Sequence, residues 1–290
     1  MVAPQSQTSP EPGAPANTKA QVQEFYNQVG WQEVGAGIYQ NATYEDLRPV
    51  SQQYIHRCHL RVNRHLKPHG RYLLDAGSGP VQYPEYLTYS KGYERRVCAD
   101  ISPVALQEAR KRLGEHGLYV VADVAHLPFK DGAFDGVVSL HTLHHLPATE
   151  QPGAYEDIHR VLAVGCTAVV VNGWTDAPLM QRMERLVKWM ENRLRKQSPA
   201  QEPSNNESKD TPTGTFVQKI NHAWLQKEVA SRVPLQVYVW RAGSVRFLRA
   251  IIHPKLGGKL LLKLLYALEE RNPRWFGENG QYPMVVIKKS

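Results

Sequence analysis

Cysteine is scarce in this chain: Cys58, Cys98 and Cys166 are an odd number, far apart, with no CxxC pair and no Cys/His spacing. That excludes a disulfide framework and a zinc site, and no metal is expected; reduced thiols of this kind fit a cytoplasmic protein, with Cys98 and Cys166 as core residues of strand-like runs. Long hydrophobic runs are missing as well. None approaches the roughly 18 residues that cross a bilayer, and 42% hydrophobic residues with a mean hydropathy of -0.47 describe a globular chain. The start, MVAPQSQTSPEPGAPANTKA, lacks the apolar segment of a secretory signal, and residues 1–18 read as a disordered tail. No repeat of 20 to 50 residues is visible.

What is present is a regular alternation. Apolar runs occur at 71–77, 96–102, 118–124, 134–140 and 166–174, with helix-like stretches at 102–117 and 154–165 between them, and two later runs at 234–240 and 282–289. Strands alternating with helices at this spacing imply α/β architecture: a doubly wound, mostly parallel sheet of seven strands. Ser102 before Pro103 predicts a helix start, and Gly117 its end. One main domain spans 19–290: lid helices within 19–66 (19–35 and 44–66), a core at 67–175, a helical insertion at 176–233 with a flexible loop at 198–215, and C-terminal strands with a basic amphipathic helix at 234–290. Its net charge is uneven. Residues 241–290 carry ten lysines and arginines against three glutamates, a net +7 of the chain's +8.

The first run ends in LLDAGSGP (73–80). A glycine-rich turn after the first strand of such a sheet lets backbone approach a ligand closely. The third glycine of the dinucleotide fingerprint GxGxxG is absent, because Pro80, Val81 and Gln82 follow Gly79 and Gln82 stands in its place. An aspartate before the glycines would repel a pyrophosphate but suits a ligand with an ammonium group. With VCADIS (97–102), VVADVAHLPFKDGAFDGVVS (120–139) and SLHTLHHLP (139–147) following in order, residues 20 to 175 resemble the class I S-adenosylmethionine-dependent methyltransferases, in the small-molecule branch that includes quinone and sterol C-methyltransferases.

The resemblance implies a Rossmann-like methyltransferase fold and a cofactor, S-adenosylmethionine. It gives Asp75 and the Gly77-Ser78-Gly79 turn to the methionine part, Asp100 to the ribose hydroxyls, and Ile101 to the adenine face. Asp123 and Val124 go to the adenine edge, and Ser139 follows as the fourth strand ends. Tyr26 belongs to a lid that closes over the cofactor. Each aspartate alone could be a helix cap or a turn former. His141, His144 and His145 are the candidate catalytic residues, because histidine can take a proton near neutral pH, although each could equally make structural hydrogen bonds.

The implied partner is a small-molecule or lipid-like methyl acceptor. Residues 245–270 join an apolar face to a row of bases, which fits either peripheral contact with a membrane or a helix that covers the sheet with its lysines in water. Two other functions compete: a non-catalytic cofactor-binding scaffold on the same fold and a nucleic-acid methyltransferase. The second lacks an NPPY or Pro-Cys motif and an interleaved aromatic and basic stripe, so no nucleic acid is expected.

Overall fold

Short runs of branched aliphatic residues, each closed by an aspartate, a glycine or a polar turn, pair edge to edge in the computed structural model, which describes residues 15–31, 33–35, 38–40, 45–197 and 215–290. The described residues open with helix α1 (Pro15–Phe25), which widens into a π turn at Tyr26–Gly30, and go on to a ribbon of β1 (Glu33–Gly35) and β2 (Ile38–Tyr39) before α2 (Gln52–His59). The helix expected over 19–35 therefore stops early: the helical stretch closes at Gly30, glycine being a poor helix former, and Glu33–Gly35 is already strand. Helix also resumes only at Gln52 rather than at 44. Of the expected disordered tail, residues 1–14 lie outside the described residues, and helix begins at Pro15.

The central alternation runs β3 (Gly70–Ala76), α3 (Pro84–Leu87), β4 (Tyr93–Asp100), α4 (Pro103–Leu113), β5 (Gly117–Val121), β6 (Phe134–Leu140), α5 (Gln151–Val161) and β7 (Leu162–Val171). It continues through α6 (Pro178–Gln197), α7 (His222–Glu228), β8 (Leu235–Arg241), α8 (Val245–Ile251), α9 (Gly258–Arg271), α10 (Pro273–Asn279) and β9 (Tyr282–Lys288). Seven strands form one sheet in the order β5-β4-β3-β6-β7-β9-β8, parallel except for β9, which runs antiparallel to both neighbours. Strand order reverses between β3 and β6, and this is the point where a doubly wound sheet opens a crevice beyond its strand ends.

Alternating side chains fill both faces. Leu74, Ala76, Val137 and Val170 pack with Tyr155 and Ile158 of α5 and Leu225 of α7, while Leu73, Val138 and Val169 pack with Leu106 and Ala109 of α4 and with Tyr86 and Tyr89. Cys58, Cys98 and Cys166 are buried free thiols.

Three further boundaries differ from expectation. Ser102 does cap α4, its Oγ accepting from the Ala105 N–H at 3.1 Å, but Gly114 (φ +51) ends the helix and Gly117 opens β5. The helix expected over 154–165 stops at Val161, because Leu162 already pairs with Phe134 and Gly165 (φ +73) has a backbone no α-helix contains. The basic amphipathic helix is broken in two: Pro254 disfavours helix at the residue before it, and Gly257 (φ +70) turns the chain into α9. Of the expected loop at 198–215, residues 198–214 lie outside the described residues.

A buried charge cluster joins these C-terminal helices to the sheet. Glu269 accepts from Arg61 at 2.9 Å, Tyr54 Oη at 2.6 Å and the Ala242 N–H at 2.8 Å, while Arg61 also donates to the Trp240 carbonyl at 2.8 Å. Removing one member of such a buried pair strands the other. Glu269→Ala is expected to lower unfolding free energy by about 3–5 kcal/mol, read from the denaturant midpoint, whereas Glu278→Ala should change it little.

Candidate active site

The turn after β3 is shaped by what its glycines permit. Gly77 (φ +76) and Gly79 (φ +52) take left-handed backbone, and a Cβ at Gly77 would collide with the Thr142 side chain. Gly77 and Ser78 donate to the Ala99 carbonyl at 2.7 and 3.3 Å, the Gly79 N–H donates to Asp100 Oδ2 at 2.9 Å, and Thr142 Oγ1 donates to the Gly77 carbonyl at 3.0 Å. Val81 keeps the left-handed backbone (φ +54) despite its branched, fully buried side chain. That is a strained position, costing on the order of 1–3 kcal/mol.

Above the turn lies a cavity of about 1160 Å³, larger than the roughly 300–1,000 Å³ of common small-molecule pockets. It brings together eleven of the thirteen residues singled out in the sequence: Tyr26, Gly77, Ser78, Gly79, Asp100, Ile101, Asp123, Val124, His141, His144 and His145. Two do not reach it. Asp75 is buried in the sheet and ion-paired with Arg96, both Nε (3.1 Å) and an Nη bonding its carboxylate; it therefore does not face a ligand's ammonium group. Ser139 is fully buried and donates to the Ala76 carbonyl at 2.8 Å, stitching β6 to β3. An arginine inside the apolar run RVCAD was the sign that some carboxylate had to be spent on it.

Asp100 does two structural jobs: Oδ2 holds the glycine turn, and Oδ1 accepts from the Ser102 N–H at 2.9 Å. Burial, helped by the charge of Asp75, pushes its carboxyl up to about 6 against those two bonds. Asp123 accepts from Lys19 at 2.6 Å and from the Ala125 N–H at 2.9 Å; burial would raise its carboxyl, but these bonds hold it below the usual range.

The lid is tied down along its length. Lys19 also pairs with Glu150 at 2.5 Å, Gln23 donates to the Ile101 carbonyl at 2.6 Å, Ser102 Oγ bonds Asn27 Oδ1 at 2.6 Å, and Tyr26 Oη bonds His145 Nε2 at 2.8 Å. Tyr26 stacks on Trp31, their ring centroids 4.9 Å apart, and Trp31 lies over Gly79. Lys19 and Trp31 escaped the sequence reading, although Trp31 stands in the same EFYNQVGW segment as Tyr26.

The three histidines separate. His145 is used on both nitrogens, by Tyr26 and by the Phe216 carbonyl at 2.7 Å, and burial lowers it to about 4. His144 bonds Asn172 Oδ1 at 3.0 Å, and burial beside two other histidines keeps it well below its ordinary range. His141, at φ +57, sits edge-on to Trp240 and Tyr282, and burial and the nearby Arg241 push it down to about 3. All are neutral imidazoles near pH 7, so the expected titration near neutrality does not survive burial.

Beyond them the cavity is lined by Glu45, Tyr83, Lys219, Trp240, Arg241 and Tyr282. Glu45 and Arg241 form a buried ion pair: burial would raise the Glu45 carboxyl, yet Arg241 brings it down to about 2. Lys219 is an exposed residue whose ammonium is lowered by desolvation against the cavity wall, and it has no ion-pair partner among the described residues. These residues come from outside the recognised motifs, and only the tertiary fold assembles them.

Residues 74–170, which carry much of this cavity, match the family described as a methyltransferase domain. The malonyl-[acyl-carrier protein] O-methyltransferase of Geobacter sulfurreducens is 34% identical over 93 residues, 31% of this chain and 34% of that protein. The 2-heptyl-1-hydroxyquinolin-4(1H)-one methyltransferase of Mycobacteroides abscessus is 31% identical over 116 residues, 39% of this chain and 50% of that protein. The chain thus spans a third to a half of the length of these relatives. Geranyl diphosphate C-methyltransferase of Streptomyces coelicolor shares the fold, with a TM-score of 0.54 at 16% identity over 96% of this chain and all of that one.

Two of the lid's ties are side-chain bonds that substitution removes cleanly. In the variant Lys19→Met/Tyr26→Phe, amide hydrogen exchange across 15–31 is expected to quicken by about tenfold or more, with exchange in β3 and β6 unchanged.

Proposed function

We propose that this chain catalyses S-adenosylmethionine-dependent methyl transfer to a carbon or oxygen of a small or lipid-like acceptor. The observation that carries the reading is one cavity with two differently furnished halves. One half offers a glycine turn, two strand-end carboxylates and a stacked aromatic lid; the other offers aromatic walls and cations.

The first half fits the cofactor. Among the described residues Asp100 is a carboxylate with no cation beside it, bonded by neutral N–H groups and open to further hydroxyl donors. When bound, S-adenosylmethionine supplies an electrophilic methyl group on a sulfonium. In this reading Asp100 accepts from the ribose hydroxyls, Asp123 from the adenine amino group, and the Tyr26 and Trp31 rings close off water.

The second half holds the nucleophile. Tyr83, Trp240 and Tyr282 orient an apolar or aromatic body, and Lys219 and Arg241 favour an acceptor oxygen or carbon that carries negative charge. A proton held on His141 or His144 would sit among cations in a buried site, so these imidazoles serve better as acceptors that aim a hydroxyl than as bases that keep its proton. The relatives' acceptors, a malonyl carrier-protein conjugate and a hydroxyquinolinone, support this reading of an oxygen acceptor on a larger body.

Titration calorimetry with S-adenosylmethionine tests the first half. Micromolar binding is expected for the native chain and is lost in Asp100→Ala and Gly77→Val; no binding to the native chain would sink the reading, and binding without labelled-methyl transfer to any quinone, phenol or lipid-linked acceptor would leave a scaffold. Because the Asp100 carboxyl is pushed up to about 6, ionisation is complete at pH 8 and is lost as pH falls through 6. Affinity is therefore expected to be flat above pH 7 and to fall by up to about tenfold per unit below 6.

A further inference from the structure

Helix α9 buries Leu262, Tyr266 and Glu269 and turns a second apolar face outward. Leu260, Leu264 and Leu268 recur every four residues, on one side of the helix and opposite Leu262 and Tyr266, and Leu260 and Leu264 are 71% and 57% exposed. Leu261 beside them and Leu256 in the preceding turn are exposed too. Ordinary surfaces scatter single leucines; a contiguous row marks a contact.

The charges around that row say which contact. Lys255, Lys259 and Lys263 recur with the same spacing along its flank, and none has an ion-pair partner among the described residues. The acids that could offset them are already used: Glu269 is buried on Arg61, and Glu270 pairs with Arg61 at 3.0 Å and Arg64 at 2.7 Å. By contrast Arg241 and Arg246 of the same basic segment are neutralised by Glu45, Glu184 and Glu191. What is left is an apolar stripe flanked by cations alone, the pattern of a helix that lies in the plane of a membrane with its leucines among acyl chains and its lysines at anionic headgroups. A second copy of the chain would bring the same uncompensated lysines up against themselves. No helix among the described residues is long and apolar enough to cross a membrane.

We propose that the outer face of α9, with Leu256 and Lys255 in the turn before it, docks on an anionic lipid bilayer. The proposal is independent of the reaction the cavity performs. The test is flotation of the full chain with phosphatidylcholine vesicles, with and without phosphatidylserine, at low and high salt. Binding is expected only with phosphatidylserine and weakens with salt. Leu260→Ser/Leu264→Ser, at exposed positions that leave the melting temperature unchanged, should weaken it at least tenfold. Lys255→Gln/Lys259→Gln/Lys263→Gln should weaken it on the order of a hundredfold, at about fivefold per lysine. The proposal is overturned if the native chain stays off phosphatidylserine vesicles, if the leucine variant binds as well as the native chain, or if light scattering finds a dimer that the leucine variant dissolves, which would give the face to a second copy.

Discussion

The carboxylate of Asp100 is the joint on which the rest of the site hangs. One oxygen holds the Gly79 N–H, so the glycine turn after β3 is set relative to the end of β4; the other holds the Ser102 N–H at the start of α4. Ser102 in turn caps that helix and reaches Asn27 of the lid. A short chain of hydrogen bonds thus links the floor of the cavity to its cover. Holding a charged group in this position while burying it is costly, and the raised pKa of Asp100 records that cost.

Buried ion pairs do the complementary work of placing charge. Asp75 neutralises Arg96 inside the sheet, Glu269 neutralises Arg61 behind β8, and Glu45 neutralises Arg241 at the inner end of the cavity. Such pairs add little net stability compared with apolar packing, but each forbids alternatives that would strand a charge. Their effect on the cavity is specific. Burial keeps all three histidines neutral, and the charge of Lys219 adds to it at His141 and His144, as does that of Arg241 at His141. A site of this kind suits charge that develops on an acceptor better than charge that develops on the protein.

Much of the fold was legible in the sequence because its cues are local: short apolar runs closed by turn residues, a Ser-Pro helix start, and glycines where the backbone must turn left-handed. The boundaries that shifted were set by tertiary pairing or by a competing turn, as where Leu162 joined Phe134 and Gly114 ended α4 before Gly117. Among site residues, those that reach the cavity sit at strand ends or in the lid segment, and position along the chain is enough to place them there. Asp75 and Ser139 lie one step back inside the sheet, where an acid or hydroxyl serves the core.

By itself the sequence determined the order of strands and helices, the glycine turn and the carboxylates that end β4 and follow β5, since each depends on neighbours within a few residues. Only the tertiary structure decided which acid reaches the cavity and which is consumed by an arginine, which histidine holds the N-terminal helix, and how Lys219, Trp240, Arg241 and Tyr282 come to share a cavity with a turn well over a hundred residues away. Those outcomes depend on burial and on partners brought together across the sheet, and no local pattern encodes either.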